Sequence, residues 1–421
     1  MVAPERLPQY AVDGIVPEVA VLPPTVEAVS ETLSFASAHD RQVVPWGGGT
    51  QMCLGNTPRG ADMVLGLGRL DRMLFHEPAD LVASIQAGTT LQTLQNELQK
   101  HGQVLPIDAP FPREATVGGI LAANASGPSR LGYGTARDWL IGIRVVHSDG
   151  TVTKAGGRVV KNVTGYDLNK LYVGSMGTLG VIVEATFKLI PMPNEIGTMV
   201  ATFPSISAAL QASGERLGQN GIPHALQVIN RDIMGRLPEM GGGEAALLVR
   251  FDGRTVPVSR RLDIWARSLE NAGAVRVDRL AQPEGTGLWQ ALTDLGWSHE
   301  SSPHLALNVH CLPSQLGEVL DLVNENQPAL GSPGIIADVG WGTVRLLWWE
   351  EDVPALEVIS RLRQGTYHIQ AHVVVERCAP EVKQRLDVWG ESYEGMEIMG
   401  RVKQQLDPAG ILNPGRFVGR L

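Results

Sequence analysis

The sequence has few of the residues that support disulfide-linked or nucleic-acid-binding proteins. Its 421 residues include only three cysteines, Cys53, Cys311 and Cys378, which are odd in number and widely spaced. This pattern predicts reduced thiols in a cytoplasmic protein and argues against a disulfide framework. No Lys/Arg cluster is longer than a pair, and 44 acidic residues outnumber 35 basic ones. We therefore expect no nucleic-acid partner, although a small anion could bind locally.

Long apolar runs are also missing. The first 18 residues lack the basic-then-apolar pattern of a signal peptide, and no apolar run approaches the ~18 residues of a membrane span. We expect neither secretion nor a membrane span. The 43% hydrophobic content is enough for a large core, and the length suggests two to three domains. The 48 glycines follow no collagen-like repeat, so we expect many of them at positions where the backbone conformation or a close approach requires glycine.

Glycine is concentrated between Trp46 and Gly180, and the prolines at 191 and 193 indicate a domain boundary. Residues 1–193 read as strands with a few helices. Residues 194–384 read as two successive passes of strand, helix, two strands, helix and strand, the order of ferredoxin-like folds. Residues 385–421 contain a last helix, predicted at 391–406, and a tail rich in turn residues.

Two small-residue loops carry the first functional signal. Trp46-Gly-Gly-Gly-Thr-Gln51 follows a predicted strand, and successive glycine N–H groups can form a concave nest for a phosphate. A flexible turn would explain three glycines equally well. The stretch 110–127 also has small residues at most positions, which indicates backbone packed against an extended ligand. Neither G-x-G-x-x-G nor G-x-x-x-x-G-K-[ST] occurs in its required context, so nicotinamide-binding Rossmann and P-loop sites are disfavoured.

Five motifs in order resemble the FAD-linked oxidases of the vanillyl-alcohol oxidase and p-cresol methylhydroxylase family. They are Gly47-Gly-Gly-Thr50, Thr116-Val-Gly-Gly119, Lys161-Asn-Val-Thr-Gly-Tyr-Asp167, Gly174-Ser-Met-Gly-Thr-Leu-Gly180 and Asp407-Pro-Ala-Gly-Ile-Leu-Asn-Pro-Gly415. Within the family, the tail 403–416 and the segment Asp338-Val-Gly-Trp-Gly-Thr-Val-Arg345 most resemble the smaller FAD-binding subunits of bacterial glycolate oxidase.

The resemblance implies an α+β fold. A two-part FAD-binding domain of the p-cresol methylhydroxylase (PCMH) type would comprise residues 1–193 and 385–421. An α+β, ferredoxin-like cap, which would lie over the flavin ring and bind substrate, would comprise residues 194–384. The C-terminal helix and tail would therefore return to the FAD domain.

The resemblance also implies which residues bind FAD. The first glycine loop would hold the pyrophosphate, the loops after Thr116 would line the flavin and phosphates, and the main chain of Val181 and Ile182 would bind adenine. The full implied set is Pro45, Trp46, Gly47, Gly48, Gly49, Thr50, Gln51, Thr116, Gly118, Gly119, Ala123, Gly127, Arg137, Gly180, Val181, Ile182 and Asn413. Arg137 could instead form an internal ion pair with Asp138.

Two departures from the family pattern refine these expectations. Relatives with covalent flavin often carry a histidine beside the first glycine loop, and this chain has none there, which favours noncovalent FAD. Self-sufficient 2-hydroxyacid dehydrogenases commonly carry H-x-G-D-G-N-x-H in the cap, whereas this chain has His368-Ile-Gln-Ala-His372 and Glu376. Histidines four apart share a face only on a helix, and this segment reads as a strand, so we expect no metal site.

Two residues are candidates for catalysis. His372 could act as the base, and an ordinary polar position is the alternative. Arg345 could bind a substrate carboxylate, because a guanidinium fork matches a carboxylate. A structural arginine that packs on tryptophan and pairs with Glu350 or Asp338 would fit the sequence equally well.

The resemblance implies a function: an FAD-binding subunit of a glycolate (2-hydroxyacid) oxidase or dehydrogenase. Hydride would pass from the substrate α-carbon to flavin, and electrons would leave through a partner. Three scattered cysteines are too few for a four-cysteine cluster, so a partner or a soluble acceptor must take the electrons. The partners that the resemblance implies are a sister FAD subunit and an iron–sulfur subunit. The alternatives are a self-contained FAD-dependent D-2-hydroxyacid or D-lactate dehydrogenase and a noncatalytic FAD-holding subunit.

Overall fold

The computed structural model describes residues 1–159, 166–214, 221–238, 240, 242–297, 301–390 and 394–421, without the side chains of 328–330. Most of the motif beginning at Lys161, the predicted end of the helix at 205–217 and the predicted start of the last helix at Glu391 lie outside these residues. The chain divides into two compact units. The first unit comprises Met1–Ser126, Thr135–Met192 and Lys383–Leu421, and the second comprises Gly127–Gly134 and Pro193–Val382.

The elements up to residue 192 are mostly short strands. In chain order they are β1 (Val19–Val21), α1 (Val26–Ala38), β2 (Val43–Trp46), β3 (Met63–Gly66), β4 (Met73–Glu77), β5 (Val82–Gln86), α2 (Leu91–Gln99), β6 (Gln103–Val104), α3 (Val117–Ala123), α4 (Arg130–Tyr133), α5 (Ala136–Trp139), β7 (Leu140–Val146), β8 (Val152–Gly156), α6 (Asn169–Tyr172), β9 (Val181–Lys188) and β10 (Ile190–Pro191).

The elements after residue 192 alternate longer strands with helices. They are β11 (Glu195–Phe203), α7 (Ile206–Gly214), β12 (Ala225–Asn230), α8 (Arg231–Arg236), β13 (Ala245–Gly253), α9 (Thr255–Asn271), β14 (Arg276–Leu280), α10 (Glu284–Asp294), β15 (Leu305–His310), α11 (Leu316–Leu330), β16 (Gly334–Asp338), β17 (Thr343–Trp348), α12 (Ala355–Thr366), β18 (His372–Arg377), α13 (Pro380–Arg385) and α14 (Met396–Leu406). Among the described helices, none combines the length and the apolar character needed to cross a bilayer.

The first unit contains a parallel sheet, β1–β3–β2, and an antiparallel sheet, β4–β5–β9–β7–β8. Thr25 caps the helix α1, because its hydroxyl accepts a hydrogen bond from the N–H of Ala28. The C-terminal tail pairs with β2: Val43 N–H donates to Ile411 O at 2.8 Å, and Asn413 N–H donates to Val43 O at 2.8 Å. This pairing brings the tail beside the strand that leads into the first glycine loop.

The second unit is built on one eight-stranded sheet, ordered β14–β11–β13–β12–β16–β17–β15–β18. Each half repeats the order strand, helix, two strands, helix, strand, and antiparallel pairing of β12 with β16 joins the halves. The predicted α+β class and the double ferredoxin-like pass are therefore confirmed. The segment 367–375 differs from its predicted strand: Tyr367–Ile369 is a 3-10 turn, Gln370 has φ of 55°, and β18 begins only at His372.

Candidate cofactor-binding site

The first glycine loop lies directly after β2, and its glycines are required by contacts within the protein. A Cβ on Gly47 would overlap the Thr116 hydroxyl, and one on Gly48 would overlap the carbonyl oxygen of Glu114. Gly49 has φ of +74°, and a Cβ there would lie 2.7 Å from the Trp46 ring. The loop therefore packs its backbone against the segment 114–116 and against its own tryptophan.

The helix α3 forms the facing wall, although its sequence was read as loop. The Thr116 hydroxyl caps it by accepting a hydrogen bond from Gly119 N–H at 3.3 Å. A Cβ on Gly118 would come within 2.7 Å of the Ala87 Cβ, so this glycine allows α3 to approach the strand-side backbone. Tertiary packing therefore sets a helix that Val-Gly-Gly would not favour alone.

The C-terminal tail forms the third wall and is held by Lys403, whose side chain is 12% exposed. Lys403 Nζ donates to Asp407 at 2.6 Å and to the carbonyls of Thr178 and Leu412 at 2.8 and 2.9 Å. Burial lowers the pKa of Lys403, and the Asp407 carboxylate opposes that shift. Asn413 Nδ2 donates to Met176 O at 2.6 Å. Its Oδ1 is buried and accepts no hydrogen bond from the described residues.

These walls line a cleft that is partly open to solvent. Ten residues implied by the family resemblance line it: Pro45, Gly47, Gly48, Gly49, Thr50, Gln51, Thr116, Gly119, Ala123 and Asn413. Five more lining residues belong to the small-residue stretch 110–127: Pro110, Ala115, Ile120, Ala122 and Ala125. Sequence reasoning gave no role to the remaining ones, Met52, Ala109, Met176 and Arg416. Only Arg416 among them is charged, and it stood in the quoted tail motif without a role.

The other implied residues lie elsewhere. Trp46 covers Gly49 and makes an edge-on contact with Tyr10, with ring centroids 5.2 Å apart. Arg137 is exposed, and its neighbour Asp138 accepts hydrogen bonds from Thr135. Gly127 falls in the second unit.

The adenine contacts implied for the segment Gly180–Ile182 stay predictions. Val181 and Ile182 are buried in β9, paired with Val146 and Val145. A Cβ on Gly180 would overlap the Val145 side chain, so this glycine allows two strands to approach.

The cleft suits a dinucleotide with two phosphates. Its glycine and alanine backbone permits close approach, Ile120 and Met176 offer apolar surface to rings, and Asn413 and Arg416 bring buried polar atoms without partners among the described residues. Backbone N–H groups and a guanidinium are suitable phosphate ligands. The residues present therefore fit FAD.

A polar row on the second unit's sheet contains the candidate base. His372 opens β18 directly opposite His310 on β15, and His310 lies opposite Thr343 on β17. His310 is exposed as a residue, but protein packed around its ring lowers its pKa. The charge of Arg130, and that of His372 when it is protonated, lower this pKa further, whereas Glu376 raises it. An imidazole with a lowered pKa is neutral at pH 7 and can accept a proton.

Two arginines whose side chains are each 16% exposed flank this row. Arg345 Nε donates to Glu376 at 2.8 Å, its Nη1 donates to Leu295 O, and its guanidinium lies 5.0 Å from the Trp297 ring centroid. The structure thus gives Arg345 the packed, paired environment of the structural alternative, with Glu376 as partner rather than Glu350 or Asp338. Its Nη2 is buried and without a hydrogen-bond partner among the described residues.

Arg130, which sequence reasoning missed, occupies a similar position. Its Nε donates to Asp338 at 3.2 Å and its Nη2 to the Thr343 hydroxyl at 2.5 Å. Burial raises the pKa of Asp338, and Arg130 opposes that rise. No sequence pattern pointed to Arg130, because its partners are more than 200 residues away.

The histidines of the segment 368–372 lie in different elements. His368 Nε2 is 2.6 Å from Glu318 Oε1 on the exposed side of α11, whereas His372 faces His310 on the sheet. Within the described ranges, no three His, Cys, Asp or Glu side chains gather as metal ligands would.

Comparison with known proteins places this site in a family. Residues 17–156 match the family model for an FAD binding domain, and residues 192–343 and 389–417 match the C-terminal domain of FAD linked oxidases. Glycolate oxidase subunit GlcD of Bacillus subtilis is 27% identical over 99% of this chain and 91% of its own. Glycolate oxidase subunit GlcE of Escherichia coli is 27% identical over 94% of this chain and 98% of its own.

A further relative and a solved structure support the same family. D-2-hydroxyglutarate dehydrogenase of Xanthomonas citri is 27% identical over 95% of this chain and 89% of its own. The structure of p-cresol methylhydroxylase with substrate bound has a TM-score of 0.75 at 18% identity, covering 99% of this chain and 93% of that one. The predicted PCMH-type fold, FAD cofactor and oxidoreductase class are therefore confirmed. The chain belongs to the FAD-linked oxidases and is an FAD-dependent oxidoreductase.

Proposed function

We propose that this chain is an FAD-binding subunit of a glycolate (2-hydroxyacid) oxidase or dehydrogenase complex. The observation that carries the proposal is the near end-to-end similarity to two different glycolate oxidase subunits, GlcD and GlcE. A sister FAD subunit and an iron–sulfur subunit are the proposed partners, since the chain's three widely spaced cysteines are too few for the four-cysteine ligation of an iron–sulfur cluster.

When bound, FAD supplies the two-electron acceptor for the hydride of the substrate α-carbon. Within this chain, an imidazole nitrogen of His372 takes the substrate hydroxyl proton, and neutral His310 opposite it offers a second acceptor. The buried Nη2 of Arg345 provides an unused donor for a carboxylate, while the ion pair with Glu376 holds the guanidinium in place.

The experiment that tests this proposal compares the chain alone with the reconstituted complex. The FAD-loaded chain is assayed on a panel of 2-hydroxyacids with a dye acceptor, with and without the sister flavin subunit and the iron–sulfur subunit. We expect glycolate turnover to rise at least tenfold on reconstitution, because electrons need a route onward. Equal turnover by the isolated chain would contradict the subunit assignment.

Replacing His372 tests the proposed base. In the reconstituted complex, His372→Ala should lower kcat about 100-fold, a typical loss for a general base. His368→Ala is the matched control, because His368 is exposed and contacts Glu318 outside the polar row. If both variants retain full activity, the sister subunit performs the chemistry and this chain is an FAD-holding subunit.

We propose that the flavin is noncovalent. The residues beside the glycine loop, Trp46, Thr50 and Gln51, include no histidine for a covalent link. Acid precipitation of the purified protein should leave all the flavin in the supernatant, as measured by absorbance near 450 nm. Yellow, flavin-bearing precipitate would show a covalent bond.

The second candidate function is a self-contained D-2-hydroxyacid dehydrogenase. It is favoured by the end-to-end match to D-2-hydroxyglutarate dehydrogenase and to D-lactate dehydrogenase of Archaeoglobus fulgidus, which is 29% identical over 96% of this chain. Robust turnover by the isolated chain that is lost in Arg345→Ala and His372→Ala would establish this function instead.

A further inference from the structure

Arg416, the last residue of the tail Asn413-Pro-Gly-Arg, is a fully buried cation beside the cofactor cleft. Its side chain is 1% exposed and lines the cleft together with the Gly47–Gly49 loop. Its backbone is anchored as well, because its carbonyl accepts hydrogen bonds from Asn56 N–H and from Trp389 Nε1, both at 3.0 Å. The guanidinium is therefore held in one place by the fold.

The hydrogen bonds of Arg416 use only part of its donors. Nη2 donates to the carbonyls of Met52, at 3.1 Å, and Leu54. Nε and Nη1 are buried and have no hydrogen-bond acceptor among the described residues. A buried donor without an acceptor costs stability, so a guanidinium with two such nitrogens needs a further acceptor.

The surrounding charges do not satisfy Arg416 either. The Asp13 carboxylate lies 3.9 Å from Nη1, too far for a hydrogen bond. Both Asp13 oxygens accept from Lys383 Nζ, at 2.8 and 3.1 Å. Two buried cations thus share one carboxylate, which leaves one excess positive charge in this cluster.

We propose that Arg416 binds the diphosphate of FAD, and that the C-terminal tail thereby contributes the cationic ligand which the glycine loop lacks. The loop offers backbone N–H groups and no charge, whereas the guanidinium offers a planar set of donors that matches phosphate oxygens. Through its bonds to Met52 and Leu54, the same side chain holds the segment that follows the loop.

Comparing two ligands distinguishes a phosphate-binding role of Arg416 from a purely structural one. Arg416→Gln removes the charge and keeps a polar side chain with amide donors. Dissociation constants of the apoprotein are measured by flavin fluorescence for FAD and for riboflavin, which has no phosphate. We expect the Kd for FAD to rise 10- to 100-fold and the Kd for riboflavin to change less than twofold. Arg59→Gln, an exposed arginine that bonds Arg420 O, is the control and should change neither.

Equal weakening of FAD and riboflavin, or no change in either, would overturn the proposal and leave Arg416 as a structural anchor. If circular dichroism shows that Arg416→Gln is unfolded, the same ratio is measured in Arg416→Lys. Lysine keeps the positive charge but lacks the planar set of guanidinium donors. The Kd for FAD should therefore rise three- to tenfold, while the Kd for riboflavin should stay unchanged. An unchanged FAD-to-riboflavin ratio in the lysine variant would likewise refute the role.

Discussion

Gly48→Leu is expected to abolish FAD loading and to lower the free energy of unfolding by about 3 kcal/mol or more, at the upper end of overpacking effects. Even a bare Cβ at position 48 would overlap the Glu114 carbonyl oxygen and lie 2.7 Å from its carbonyl carbon. These are backbone atoms, so no side-chain rotation relieves the overlap. The glycine loop and the segment leading into α3 would have to separate, and both line the cleft.

The measurement pairs the flavin-to-protein absorbance ratio with urea unfolding. Gly68→Ala is the matched control in the same unit, because a Cβ there meets no atom within 4 Å. It should keep full flavin content and change stability by less than about 1 kcal/mol. Normal FAD content in Gly48→Leu would mean that the cofactor does not depend on this loop.

The sequence predicted the position of the glycine loop but a different reason for it. From the pattern alone, a side chain at Gly48 is expected to obstruct the phosphate. In the structure the first obstruction is the protein's own backbone at Glu114. Local glycine content shows that backbone must approach something closely, whereas the partner is a long-range contact that no local pattern carries.

The repeated order of strands and helices in the second unit was predictable, since each strand and helix has its own hydrophobic period. The pairing of β12 with β16, which joins the two halves into one sheet, has no local signal. The same limit applies to α3, a seven-residue helix that begins with Val-Gly-Gly. Its packing against Ala87 outweighs its weak intrinsic propensity.

Charged side chains were the least predictable part of the site. The sequence offered Glu350 and Asp338 as partners of Arg345, because both are close to it along the chain. Its actual partner, Glu376, lies on β18 of the same sheet. Arg416 was quoted only as the end of a turn-rich tail. The partner of Arg345 depends on the strand order of the sheet, and the contacts of Arg416 depend on where the tail lies. Neither can be inferred from residues close in sequence.

Lys383→Met is expected to lower the free energy of unfolding by about 3–5 kcal/mol, the usual cost of removing one partner of a buried ion pair. Lys383 is 1% exposed, and its Nζ donates to both oxygens of Asp13 and to Cys53 O at 2.6 Å. Methionine fills a similar volume but leaves the Asp13 carboxylate buried, with Arg416 Nη1 3.9 Å away. Urea unfolding measured by tryptophan fluorescence gives the loss.

An exposed ion pair serves as the control that distinguishes the effect of burial from the effect of losing a charge. Lys100 forms an exposed ion pair with Glu97 at 2.7 Å, and Lys100→Met should cost less than about 1 kcal/mol because water replaces the lost partner. The double variant Asp13→Asn/Lys383→Met should recover part of the stability lost in Lys383→Met, since it removes the unpaired carboxylate as well. Equal small losses in Lys383→Met and Lys100→Met would show that the buried pair contributes no more than a surface one.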